Sequence, residues 1–103
     1  MVKVIDGKRY NTDTATEIFH YWNGLSSQDF RNVSEGLYVT KKGSYFLYGS
    51  GGPMSKYAVS NENTTSGSSD IIPLSKKDAF KWCEKYADRE AIETHFADMI
   101  EDA

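Results

Sequence analysis

The chain of 103 residues has one cysteine, two prolines and no apolar run approaching the length of a membrane span. A lone Cys83 excludes an internal disulfide, and the missing apolar run leaves no predicted transmembrane helix. The opening MVKVIDGKRY has no basic segment followed by an apolar stretch, so no secretory leader is expected and the reading is a cytoplasmic protein. Cations are also in the minority: 12 Lys and Arg stand against 15 Asp and Glu, a formal net charge of −3. That balance argues against an indiscriminate nucleic-acid coat protein or a polybasic membrane binder. No CxxC, HxxxH or HExxH spacing occurs, so His20, His95 and Cys83 are read as packing residues, with no metal and no cofactor expected. Cys83 falls mid-helix on a predicted apolar stripe, where a thiol is buried and inert, and no enzyme is indicated.

Aromatics, by contrast, are abundant. Seven Tyr, five Phe and two Trp accompany a mean hydropathy of −0.60. A few large side chains must therefore do the burying beneath a polar surface, in one domain over 1–103. The charge is uneven along the chain. Residues 1–60 carry 7 basic and 5 acidic groups (+2), whereas 61–103 carry 5 basic and 10 acidic (−5).

Val2, Val4 and Ile5 precede Asp6-Gly7, a dipeptide suited to a type I′ hairpin turn. Thr14-Ala15-Thr16-Glu17 matches a capping box, and Ile18, Tyr21, Trp22 and Leu25 follow helical spacing up to a stop at Gly24, which predicts a short N-terminal helix. Residues 36–48 are aromatic and β-branched on both sides of Lys41-Lys42-Gly43, the composition of a hairpin that ends at Gly49–Pro53. Alternation puts Tyr45 and Leu47 on one face, Phe46 and Tyr48 on the other. Lys56–Ser60 is expected as a third strand of that sheet, and 61–69, without an apolar side chain, as an exposed loop. Asp70–Leu74, with Pro73, suits an edge strand. Ser75 caps an amphipathic helix whose buried face is Ala79, Trp82, Cys83, Tyr86 and Ala87. Asp88 caps a further helical stretch with Ile92, Phe96, Met99 and Ile100 on one face. The predicted class is α+β: an antiparallel sheet of about five strands, a short N-terminal helix and a helical C-terminal third, of which 88–103 is an acidic helical tail.

Two surfaces are candidates for function. Asp88, Glu90, Glu93 and Asp98 form a C-terminal acidic patch able to dock on a basic protein groove, although such a charge run is ordinarily just a solvated helix face. Lys41, Lys42 and Lys56 with Tyr48 and Tyr57 form the alternative, a cationic and aromatic surface of the kind that binds single-stranded nucleic acid. Gly49-Ser50-Gly51-Gly52 is read as a strand connection in preference to a phosphate cradle, because it lacks the GxxxxGK[ST] pattern and leads into Pro53 instead of a helix.

Asp6-Gly7-Lys8-Arg9-Tyr10, Thr12 to Glu17, Tyr45-Phe46-Leu47-Tyr48-Gly49-Ser50-Gly51-Gly52-Pro53-Met54-Ser55-Lys56-Tyr57-Ala58 and Ile71-Ile72-Pro73-Leu74-Ser75 together resemble a group of small proteins of Gram-positive bacteria and their mobile elements. A branch of about this length is similar to the type II-A anti-CRISPR proteins, inhibitors of Cas9. The resemblance covers most of 1–87 and is most specific over Tyr48–Ala58. It implies a non-enzymatic inhibitor whose partner is Cas9 or the Cas9–guide RNA complex in the bacterial host cytoplasm. An inhibitor of this kind acts by offering carboxylates to the cationic channels and arginines of Cas9 or by blocking a conformational step. The alternative is a small nucleic-acid-binding or regulatory module of a mobile element.

Overall fold

Alternation of side chains across one antiparallel sheet organises the molecule. The computed structural model describes residues 1–26, 28–61 and 64–103. Strands β3 (Thr16–Trp22), β4 (Val33–Val39), β5 (Tyr45–Gly51) and β8 (Ser68–Leu74) form a four-stranded antiparallel sheet in the order β3-β4-β5-β8. One face carries Leu37, Leu47 and Ile72 against helices α1 (Lys76–Tyr86) and α2 (Arg89–His95). The other carries Tyr38, Phe46, Tyr48 and Ile71 against Tyr10 of a separate hairpin, β1 (Val2–Ile5) with β2 (Lys8–Asn11). Both faces of the sheet are therefore covered, which is why all of Tyr45, Phe46, Leu47 and Tyr48 pack. The expected division of these four between the faces holds.

The α+β class and antiparallel pairing match expectation, but the single five-stranded sheet does not. The remaining described strands lie in two ribbons, β1–β2 and β6 (Val59–Asn61) with β7 (Thr64–Ser66). The Asp6-Gly7 turn forms as predicted, with φ of 51° and 77°, the left-handed region that this dipeptide tolerates. The predicted N-terminal helix is instead strand β3. The pairing register shifts between Glu17 and Phe19, so Ile18 and Phe19 both reach the core cluster. A bulge advances the alternation by one residue, and two strand phases joined at that point reproduce the i, i+3 spacing of a helix.

Two further boundaries moved. Strand β5 runs on to Gly51 because residues 49–51 pair on both sides, with β4 and β8, and glycine at 49 makes room for the Tyr57 ring, which a Cβ there would overlap. Lys56–Ser60 is not a third strand of the main sheet. Residues 56–58 form no strand, the Tyr57 ring lies over Gly49 of β5, and only Val59 onward pairs, with β7. The expected 61–69 loop is largely strand in its described residues, ending in the start of β8; residues 62 and 63 lie outside them.

The C-terminal helices follow the caps read from sequence. The Ser75 side chain accepts from the Asp78 amide at 3.1 Å, and Asp88 accepts from Ala91 at 2.9 Å. Ala87 is extended (ψ 166°), so α1 and α2 are separate helices. A 3₁₀ turn over Ala97–Met99 follows, and the last residues are non-helical, so 88–103 is not one helical tail. Fully buried Phe96 anchors this segment, with ring centroids 5.4 Å from Tyr45 and 5.6 Å from Phe80. Among the described residues no helix is long and apolar enough to cross a membrane.

Candidate functional site

The most unusual side chain in the interior is one that composition does not single out. Glu35 is 1% exposed, in the middle of the sheet. Its position on β4 follows from period-two alternation with Leu37 and Val39, which point to the helix side. Trp82 of α1 donates its indole N–H to Glu35 Oε1 at 3.2 Å. The Tyr57 hydroxyl donates a short hydrogen bond to Oε2, and the Lys56 ammonium lies 2.5 Å from the same oxygen. Burial by itself would push this carboxyl up. The hydrogen bonds from Lys56, Tyr57 and Trp82, together with the Lys56 charge, outweigh burial and hold it below the ordinary carboxylate range. The same contact raises Tyr57, through burial first and the hydrogen bond to Glu35 second, so its hydroxyl stays a donor.

This cluster joins three parts of the chain: the sheet, the 52–58 segment and helix α1. Gly49 is paired with Glu35 across the strands and leaves the space that the Tyr57 ring occupies. Both carboxylate oxygens are engaged by donors from within the chain, and the geometry describes a lock on that segment. The glycine-rich segment is absorbed into the same lock. The Gly52 amide donates to the Asn32 carbonyl at 3.0 Å and the Met54 amide donates to that of Phe30, so these amides face the protein and cradle nothing.

The predicted cationic and aromatic surface splits in two. Tyr57 is buried and Tyr48 is half-buried against the β1–β2 hairpin, so neither ring is a stacking platform. Lys56 is committed to Glu35. Lys41 and Lys42 stand in the turn beyond the Val39–Tyr45 pair that ends the β4–β5 ladder, and that pair is itself four residues, or about 13 Å at about 3.3 Å per residue, from Glu35. There they join Lys8 and Arg9 of the first hairpin around a cleft of about 580 Å³. Sequence reasoning missed Lys8 and Arg9 because the two turns meet only in space. It missed Glu35 because the strand was started at Gly36, three residues late; extending the Leu37/Val39 alternation back by two would have found it.

The predicted acidic patch is exposed, but three of its four members have internal partners. Asp88 caps α2, Glu93 lies 3.8 Å from Arg89, and Asp98 lies 2.6 Å from Lys76 of α1. The hydrogen bond and charge of Lys76 hold Asp98 below its ordinary value. Glu90 is exposed in the first turn of α2. Beside these acids, Phe80, Ile92, Met99 and Ile100 line an apolar depression rimmed by Glu84, Glu93 and Glu101. Cys83 is fully buried, as its place on the apolar stripe predicted, and burial pushes its thiol up to about 11. His20 is exposed and shares a 2.9 Å hydrogen bond with Ser34; among the described residues no group of three His, Cys, Asp or Glu could hold a metal ion.

No protein-family model, curated protein or solved structure matches this chain. Three features stand out among the described residues: a buried carboxylate cluster at Glu35, an acidic helical end, and a cationic cleft between two turns.

Proposed function

We propose that the protein is a non-enzymatic inhibitor of a type II-A Cas9, acting in the bacterial host cytoplasm by binding Cas9 or its guide-RNA complex. The observation that carries this reading is the fate of the stretch most similar to the anti-CRISPR proteins. Within residues 48–58, Lys56 and Tyr57 bond the buried Glu35 carboxylate and Gly49 leaves room for the Tyr57 ring, so the main chemistry-bearing groups of that stretch hold the 52–58 segment in place. Function then falls to surfaces that the lock presents. The acidic residues Asp88, Glu90, Glu93 and Asp98 supply charge complementary to the cationic channels of Cas9. Trp22, Phe30 and Met54 are 58%, 62% and 67% exposed, and such side chains serve as anchors in protein interfaces. With a net charge of −3, wholesale imitation of duplex DNA is not part of the reading.

Cleavage of a target plasmid by purified Cas9 tests it, with the protein in large molar excess. Undiminished cleavage with every type II-A Cas9 tried overturns the proposal. Where inhibition occurs, co-elution with and without guide RNA locates the bound form. Glu90→Arg with Glu93→Arg is expected to weaken inhibition at least tenfold, and unchanged inhibition moves the interface to Trp22, Phe30 and Met54.

A second reading, a small nucleic-acid-binding module, is favoured by one observation: Lys8, Arg9, Lys41 and Lys42 gather at a single cleft. A gel shift with single-stranded DNA or RNA that weakens steeply with salt would support it.

A further inference from the structure

We propose that the cleft between the β1–β2 turn and the β4–β5 turn is a binding site for a phosphate-bearing ligand of nucleotide size. The inference deepens the nucleic-acid reading, on which it rests for its ligand chemistry, and is independent of Cas9 inhibition. Lys3, Arg31, Lys56, Lys76 and Arg89 are each paired with a carboxylate, whereas Lys8, Arg9, Lys41 and Lys42 have no ionic partner among the described residues. These four exposed cations line one concave surface whose lining includes no carboxylate. Like charges gathered without a counter-charge repel one another, a cost that an anion in the cleft would reverse.

The neutral groups point to the same ligand. Asn11 Oδ1 accepts from the Asp13 amide at 2.9 Å, and Thr40 Oγ1 accepts from the Ser44 amide at 3.0 Å. Their acceptor atoms are thus occupied within the loops, leaving the Asn11 amide hydrogens and the Thr40 hydroxyl hydrogen to donate. Ser44 and Tyr10 add hydroxyls that make no hydrogen bond among the described residues and are open to solvent. Tyr10 is held in place by its ring, which packs edge-on to Phe46 at 5.5 Å, and the residue lines the cleft. A volume of about 580 Å³ lies within the range of small-ligand sites, roughly 300–1,000 Å³. A donor-lined, fourfold cationic cleft of that size suits phosphate oxygens, which accept from several donors at once.

The shared chemistry is a phosphate, carried either by a free nucleotide or by a nucleic-acid strand, and the probes separate the two. ADP, a ten-nucleotide oligo-dT and a hexaglutamate peptide are titrated into the isotope-labelled full chain at low salt, with amide shifts followed by NMR. Saturable shifts with ADP or oligo-dT, confined to 7–14 and 40–44, are expected. Lys41→Ala with Lys42→Ala should weaken that binding at least tenfold. Lys77→Ala with Lys81→Ala, which removes equal charge from exposed positions on α1, should change it less than twofold; thermal melts confirm that both variants fold. Saturation by ADP identifies a nucleotide site, and saturation by oligo-dT alone a strand site. Hexaglutamate binding as tightly as ADP overturns the phosphate assignment, and equal losses in the two double variants overturn the location. Oligo-dT binding with shifts elsewhere overturns the cleft but leaves the nucleic-acid reading standing, whereas no response to any probe overturns both.

Discussion

Removing a single oxygen from the Glu35 lock tests whether it holds the fold. Tyr57→Phe keeps the ring, 5% exposed and seated over Gly49, and deletes only the hydroxyl that donates to Glu35 Oε2. A hydrogen bond to an ionised acceptor contributes about 1.5–3 kcal/mol, and its loss leaves the carboxylate with one donor fewer in a site that water does not reach. For a chain of this size each kcal/mol shifts Tm by about 4–8 °C, so the variant should melt roughly 6–24 °C lower at pH 7. The pH dependence gives a sharper check. Glu35 has a folded pKa below its ordinary value of 4.5, so its contribution is fully present above that value and is lost as the pH falls through the folded pKa. Deleting a donor moves the folded pKa back toward 4.5, so the gap between wild type and variant should be widest near neutrality and narrow by pH 3. Thermal denaturation followed by circular dichroism at pH 7 and pH 3 measures both. A Tm change under 2 °C at pH 7, or a gap of equal size at both pH values, would refute the assignment of Glu35 as an ionised, hydrogen-bonded anchor.

Gly49→Ala places a methyl 2.0 Å from the Tyr57 oxygen and should cost about 3 kcal/mol or more in chemical denaturation, because Tyr57 must leave its site; a loss below 1 kcal/mol would mean that the 52–58 segment is not held there. Cys83 should react with a thiol reagent only on unfolding, since it is fully buried with its thiol pushed up to about 11; prompt native-state labelling would contradict its placement. Asp88→Ala and Ser75→Ala should each destabilise by about 1 kcal/mol through loss of a cap, while Glu90→Ala, on the same exposed turn, should change stability by less than about 0.5 kcal/mol.

What could be read from sequence alone is the part decided within a few residues. The Asp6-Gly7 turn, the two helix caps, the edge strand with Pro73 and the division of Tyr45, Phe46, Leu47 and Tyr48 between two faces all follow from local conformational preference and alternation. The same logic misassigned β3, because a bulge at Ile18 made strand spacing look helical, and only pairing with β4 resolves the two. It also treated Lys41, Lys42, Lys56, Tyr48 and Tyr57 as one surface on grounds of nearness in sequence. Tertiary structure separated them: Glu35 draws Lys56 and Tyr57 inward, since a buried carboxylate must find donors, while Lys41 and Lys42 meet Lys8 and Arg9 across a cleft. Local chemistry determined the elements, whereas which charges are spent and which remain free was decided by contacts between segments far apart in the chain.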